Sequence, residues 1–195
     1  MKRIFLIGGL LLVTALSNPA FAAAPQATPA QTKPTFAMVY DKLISSVEKE
    51  VVDAATAMPE DKFNFAPTQG EFKGVRTFAQ QVKHIAAVNY MIGAAILSEK
   101  PPVDIGKESG PENITSKADV VKFLKDSFAY LHKALDTINE GNVLGQVTPP
   151  WGTNKVSRLG LATIAIAHPF DHYGQMVEYL RMNNIIPPAS RGGSN

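Results

Sequence analysis

The sequence contains no cysteine, and this absence excludes several kinds of chemistry. Without a thiol, the chain forms no disulfide, carries no acylated lipoprotein Cys and has no catalytic Cys nucleophile. Any metal ion that it binds must be held by nitrogen and oxygen ligands. An exported chain of this composition would have to fold without covalent cross-links.

Charge imbalance and long apolar runs are also missing. The apolar run from Ile4 to Leu16 has 13 residues, whereas a membrane-spanning helix needs about 20. Lys2 and Arg3 account for the whole formal charge of +2, and without them 17 basic residues face 17 acidic ones. This balance gives no electrostatic reason to expect nucleic acid or an anionic membrane as a partner.

The motifs of several enzyme classes do not occur. Pro169 follows His168 where the zinc proteases have the glutamate of His-Glu-x-x-His, so that general base is missing. The chain also lacks a Gly-x-Ser-x-Gly elbow, a phosphate loop and a dinucleotide-binding fingerprint. No stretch alternates cleanly between apolar and polar residues, which argues against a sheet protein.

The first 22 residues have the pattern of a secretory signal peptide. Lys2 and Arg3 form a positive start, the apolar run follows, and Ala20-Phe21-Ala22 is a small-x-small cleavage site. We therefore predict an exported protein, periplasmic or secreted, that has no stable membrane anchor after cleavage behind Ala22. The alternative is an uncleaved anchor.

The segments that flank the predicted domain differ from it in composition. Residues 23–34 are almost entirely Ala, Pro, Gln and Thr, so they offer nothing large to bury and predict a flexible linker. Residues 35–188 form the predicted domain. We expect residues 189–195 to be a disordered tail.

Apolar side chains spaced by three and four residues predict four helices in this domain. The first follows a cap at Thr35, the second a capping box at Thr77, the third Ser116 and the fourth Ser157. The predicted ends are Pro59 for the first helix, Ser98 for the second, Gly141 for the third and about Asn183 for the fourth. These elements predict an all-α four-helix bundle. An up-and-down antiparallel layout is the simplest arrangement, and the long connections leave crossovers open.

The predicted buried stripe of the first helix combines its large apolar side chains. Its members are Phe36, Tyr40, Leu43, Val47, Val51 and Met58. The second helix carries small residues that favour close helix packing. They are Ala86, Ala87, Gly93, Ala94 and Ala95.

The fourth helix carries the strongest sign of function. His168 and His172 are four residues apart, which places both imidazoles on one helix face where they can reach one metal ion. His84 lies beside the apolar stripe of the second helix and is the preferred third ligand. Three such ligands would leave a coordination position open, as in catalytic zinc sites. Histidines that are merely packed and hydrogen-bonded are the alternative.

His132 and Pro169 give two further predictions. His132 is one step off the apolar stripe of the third helix, so we expect it to face solvent. Pro169 lacks the N–H that would bond Ala165 O, which predicts a kink beside His168.

Two stretches of the sequence together resemble the DinB/YfiT-like superfamily. They are Thr77–Ile85 around His84 and His168-Pro-Phe-Asp-His-Tyr-Gly-Gln-Met-Val-Glu-Tyr-Leu-Arg181 with Pro187-Pro188. The resemblance covers roughly residues 36–188. It implies a four-helix bundle that holds a divalent metal ion through His84, His168 and His172.

The resemblance also bears on the surroundings of the metal. Members often have another histidine directly before the second motif ligand, where this chain has Asp171. Asp171 is not one of the usual three ligands. A carboxylate at this place would orient an imidazole, and the alternative is a plain surface acid. Tyr173 and Gln175 are further candidates for the pocket.

Several functions fit these residues. Characterised relatives include metal-dependent transferases and isomerases that use low-molecular-weight thiols, which are chiefly cytoplasmic, so no particular thiol is predicted for an exported chain. We expect a metal-dependent transferase or hydrolase with an unidentified small-molecule substrate. The alternatives are a non-catalytic metal-binding or stress-related helical bundle and, more remotely, an interaction module without metal. Zinc, nickel and iron all suit imidazole ligands, and the choice between monomer and homodimer stays open.

Overall fold

The computed structural model describes residues 33–107 and 109–192. Within them, four α-helices account for most of the chain: α1 (Phe36–Ala57), α2 (Phe78–Leu97), α3 (Lys117–Asp136) and α4 (Arg158–Met182). The predicted all-α four-helix bundle is confirmed. The predicted signal peptide and all of the predicted linker except Lys33 and Pro34 lie outside the described residues.

The helices begin where the capping residues predict. Thr35, Thr77, Ser116 and Ser157 each accept a hydrogen bond from the backbone N–H three residues further on. At α2 the capping box is complete, because the Gln80 side chain also accepts from the Thr77 N–H at 2.9 Å. These bonds satisfy N–H groups that have no partner within a helix.

Each helix packs mainly against two others, and the order around the bundle is α1, α3, α2, α4. Consecutive helices α1 and α2 therefore lie across a diagonal, as do α3 and α4. The up-and-down layout in chain order is not the one observed. The long connections 58–77 and 137–157 are what permit these diagonal crossings, which a tight turn would not.

The connections between the helices contain short elements of regular structure. A 3₁₀ turn at Glu60–Lys62 follows α1. Two-residue strands β1 (Gln146–Val147) and β2 (Val156–Ser157) pair antiparallel just before α4. No helix in residues 33–107 or 109–192 combines the length and apolar character that crossing a membrane requires.

The predicted stripe of α1 is partly wrong. Val47, Val51 and Met58 are fully buried, but Phe36 is 37% exposed and Leu43 45% exposed. The side chain that faces the core beside Leu43 is its neighbour Ile44. One residue turns a helix by 100°, so Leu43 and Ile44 point in different directions, and spacing alone did not decide which of them faces the core.

The predicted end of the third helix is also wrong. It stops at Asp136, and the chain then turns through Asn139 and Asn142 rather than continuing to Gly141. The Asn142 side chain accepts from the Asn139 N–H at 2.9 Å and donates to Thr137 O at 2.8 Å. Such bonds from side chain to backbone compete with the helical pattern.

The expectation that His132 faces solvent is contradicted. Its side chain is only 22% exposed and lies between two carboxylates of α1. Its Nδ1 is 2.6 Å from Asp41 Oδ1, and its Nε2 is 2.9 Å from Glu48 Oε2. The packing of α3 against α1 therefore covers a position that the α3 stripe alone places outside.

The C-terminal end is ordered further than predicted. Pro188–Ser190 forms a 3₁₀ turn, and Arg191 Nε donates to Ile186 O at 3.0 Å. The predicted disordered tail thus begins too early, and residues 193–195 lie outside the described part of the chain.

Pro169 is buried inside α4, which runs through it as one continuous helix.

Candidate metal centre

The structure brings three histidines from two helices to one point. His84 comes from α2, and His168 and His172 stand one turn apart on α4. His168 Nε2 lies 3.1 Å from His84 Nε2 and 3.1 Å from His172 Nε2. The three ligand atoms all fall within 4.8 Å of one another, which is compatible with a metal ion.

The donor set and its spacing fit a divalent ion. Zinc–nitrogen bonds of 2.0–2.1 Å at tetrahedral angles put two ligand nitrogens about 3.3 Å apart. The observed separations of 3.1 Å differ from this by only a few tenths of an ångström. Small ring movements would therefore place an ion among the three Nε2 atoms, and three protein ligands leave a coordination position for a substrate.

Burial of the ligands differs around the cluster. His84 and His172 are each 7% exposed, whereas His168 is half-buried. The rings meet edge to face, with centroids between 4.5 and 5.0 Å apart. The cluster is thus shielded from bulk water on most sides while one ligand stays accessible to small molecules.

The electrostatic surroundings keep two of these imidazoles neutral. Burial, the neighbouring His172 and His84, and the charge of Arg76 lower the pKa of His168 to about 3. Burial, His84 and Arg76 lower the pKa of His172 to about 4, and Asp171 opposes this shift only in part. A metal ligand must be deprotonated, so both rings are ready to bind at neutral pH.

The three predicted pocket residues lie at different places around the cluster. The Gln175 amide nitrogen is 3.4 Å from His172 Nδ1 and also donates to Asp171 Oδ2 at 3.2 Å. Asp171 is exposed, so it acts on His172 through its charge and through Gln175. Burial and the carboxylates of Glu50 and Asp53 raise the pKa of Tyr173. Both carboxylates belong to α1, so Tyr173 lies near that helix.

Sequence reasoning missed two residues beside the cluster. Gln81 lies one turn before His84, is 1% exposed, and donates from Nε2 to Gln175 Oε1 at 2.7 Å. The signal for Gln81 was its spacing, since residues three apart share a helix face. Arg76 lies in the connection before α2, and nothing in its sequence context marked it, because only the fold brings it near α4.

Comparison with known proteins agrees with this geometry. A family model described as the DinB superfamily matches residues 43–176, a range that includes all three histidines. The fold is similar to the crystal structure of a DinB-like protein from Bacillus cereus ATCC 10987, with a TM-score of 0.63 and 13% sequence identity. That match covers 79% of this chain and 96% of the other. No curated protein matches the chain.

The solved structure is too distant in sequence to show more than the fold. The family model, by contrast, spans more than half of the chain and covers all of α2 and α4 as far as Met176. The chain therefore belongs to the DinB superfamily.

Proposed function

We propose that this protein is an exported metalloenzyme that holds one divalent ion through Nε2 of His84, His168 and His172. It uses the open coordination position to act on a small molecule, as a transferase or a hydrolase. The observation that supports this proposal is the convergence of three imidazole nitrogens from α2 and α4 on one point. Packed histidines with a purely structural role have no need to point the same ring atom at one another.

The chemistry follows from the ligand set. A bound divalent ion would act as a Lewis acid at its open position, polarising a carbonyl or lowering the pKa of a bound water or thiol. The residues of the chain hold and orient the ligands: His168 and His172 are kept neutral by burial, and Gln175 contacts the outer nitrogen of His172. Zinc, nickel and iron are all candidates, because neutral imidazole suits each of them.

A second candidate function is metal binding without catalysis. No carboxylate among the described residues joins the group of three histidines. Asp171, the carboxylate next to His172 in the sequence, is exposed, and its Oδ2 accepts from Gln175. A bundle of this kind would bind or store a metal ion, or serve in a stress response, without activating a nucleophile.

Metal content and activity together separate these functions. The protein is purified from its native compartment, and its metals are measured by mass spectrometry beside a His168→Ala variant. We expect about one ion per chain in the wild type and much less in the variant. Equal, low metal content in both proteins would overturn the proposal of a metal site. A loaded protein that is silent in hydrolase and thiol-transfer screens would favour the non-catalytic function.

Export and assembly are separate parts of the proposal. The signal pattern of residues 1–22 supports export, and a balanced mature charge argues against nucleic acid as a partner. Intact-mass analysis of the periplasmic or secreted fraction should find a chain that begins at Ala23. A chain that retains Met1 and stays with the cytoplasm would contradict export. Sedimentation of the purified protein decides between a monomer and the homodimer that we propose as the alternative.

A further inference from the structure

Two glutamine amides link α2 to Nδ1 of the candidate metal ligand His172. Gln81 Nε2 donates to Gln175 Oε1 at 2.7 Å, and Gln175 Nε2 is 3.4 Å from His172 Nδ1. Gln81 is 1% exposed, and its Oε1 is buried without a hydrogen-bond partner among the described residues. The Gln81 amide is therefore held through its nitrogen, and its oxygen is left over.

The direction of these hydrogen bonds specifies one tautomer of His172. A ring nitrogen that accepts from an amide N–H carries no proton, so the proton of neutral His172 resides on Nε2. His172 Nε2 is 3.1 Å from His168 Nε2 and can donate to it. The contacts from Gln81 to His172 thus agree on one direction.

A metal ion requires the opposite tautomer. Coordination through Nε2 moves the proton of a neutral imidazole to Nδ1, where it needs an acceptor. The Gln175 amide is the group beside Nδ1, and a half-turn would present Oε1 to it instead of Nε2. Gln175 Nε2 would then face Gln81, which must turn as well to offer its own oxygen. Asp171 is exposed, so its carboxylate is free to turn toward water when this donor leaves.

We infer that Gln81 is a positioning residue of the metal centre, acting on His172 through Gln175, and that both amides reverse direction when the ion binds. This inference rests on the proposed metal site. It differs from a simple packing role, in which the two amides would only join α2 to α4. A packing role has no dependence on which atom of each amide faces the other.

Ring-nitrogen chemical shifts of ¹⁵N-histidine-labelled protein test the inference, with a His172→Asn variant to assign the signal. In the wild type, the His172 proton should reside on Nε2 without metal and on Nδ1 with zinc. Gln81→Met removes donor and acceptor at similar size, so the metal-free tautomer should become mixed. Zinc affinity should fall about tenfold, as for other partners of metal ligands.

Gln81→Glu distinguishes positioning from packing. An ionised carboxylate only accepts, so at a pH above its pKa, which burial raises, it should turn the Gln175 oxygen toward His172 and favour the Nδ1–H tautomer even without metal. Zinc affinity should then exceed that of Gln81→Met, whereas a packing role predicts that a buried charge does no better. Gln80→Met is the matched control, because the Gln80 amide bonds the Thr77 backbone, and its histidine shifts should match the wild type.

The outcomes separate this inference from the proposed function. Wild-type histidine shifts and zinc affinity in Gln81→Met would overturn the positioning role while leaving the metal site intact. Failure of the wild type to bind zinc, nickel or iron would overturn the metal site. The metal-free shifts of wild type and Gln81→Met would then still show whether Gln81 sets the His172 tautomer.

Discussion

His84 Nε2 and His168 Nε2 lie 3.1 Å apart although their residues are separated by 84 positions and belong to different helices. Neither helix alone provides more than two metal ligands. The packing of α2 against α4 therefore completes the candidate site, and a change that separates these helices should weaken metal binding as much as loss of a ligand does.

Removing His84 should abolish tight zinc binding. His84→Ala leaves two ligands on α4, and we expect the dissociation constant for zinc to rise by about 100-fold or more, with no thermal stabilisation by the metal. Isothermal titration calorimetry measures this change. His132→Ala is the matched control, because it removes a histidine outside the cluster, and it should bind zinc with wild-type affinity. Equal affinities of wild type and His84→Ala would contradict the site.

Metal binding should persist at mildly acidic pH. The pKa values of His168 and His172 are about 3 and about 4, below the ordinary value of 6.5. Protons therefore compete with the metal for these two ligands only below about pH 5. Zinc titrations at pH 7.5, 6.5 and 5.5 check this expectation. A steep loss of affinity between pH 7 and 6 would contradict it.

Without added metal, the folded protein should lose stability as the pH falls from 6.5 to 3. Because the folded pKa values lie below 6.5, the unfolded chain binds more protons between pH 6.5 and 3, so falling pH favours unfolding. The neutral rings contribute no such penalty above pH 6.5. The free energy of unfolding in urea should drop more from pH 6.5 to 4 in the wild type than in a His168→Gln/His172→Gln double variant. Parallel pH profiles of the two proteins would show that these histidines are not responsible.

His132 should stabilise the contact between α1 and α3. Its two ring nitrogens form hydrogen bonds with Asp41 and Glu48. Hydrogen bonds to charged groups contribute more to stability than hydrogen bonds between neutral groups. Because the carboxylates are partly exposed, we expect His132→Ala to cost only about 1 kcal/mol of unfolding free energy. Urea unfolding measures the loss. Lys122→Ala, which breaks an exposed ion pair within α3, should leave stability unchanged.

Two helical glycines should respond in opposite directions. A Cβ at Gly93 would lie 2.8 Å from Cε1 of Tyr130, whose hydroxyl is held by Glu99 at 2.8 Å. Gly93→Val should therefore destabilise the protein by about 1–3 kcal/mol. A Cβ at Gly174 meets no neighbour within 4 Å, so Gly174→Ala should stabilise it by about 0.5–1 kcal/mol through helix propensity. Thermal unfolding compares the two variants, and stabilisation by Gly93→Val would contradict the close approach of α3.

Local sequence determined the starts of the helices and two of the three candidate metal ligands. Caps act within three residues, so Thr35, Thr77, Ser116 and Ser157 marked the four starts correctly. The spacing of His168 and His172 is a property of one helix, and it put both imidazoles on one face without knowledge of the fold. His84 was preferred as the third ligand because it lies beside the apolar stripe of the second helix, and the family resemblance then implied the same residue.

Tertiary structure decided what depends on the neighbours of each helix. Whether Leu43 or Ile44 faces the core, whether His132 is covered, and which residues accompany His84 all depend on the order of helices around the bundle. That order places α1 against α3 and α2 against α4, because the long connections leave the pairing of helices to side-chain packing. The role of Gln81 emerged only there, since a hydrogen bond between residues 94 positions apart leaves no local pattern in the sequence.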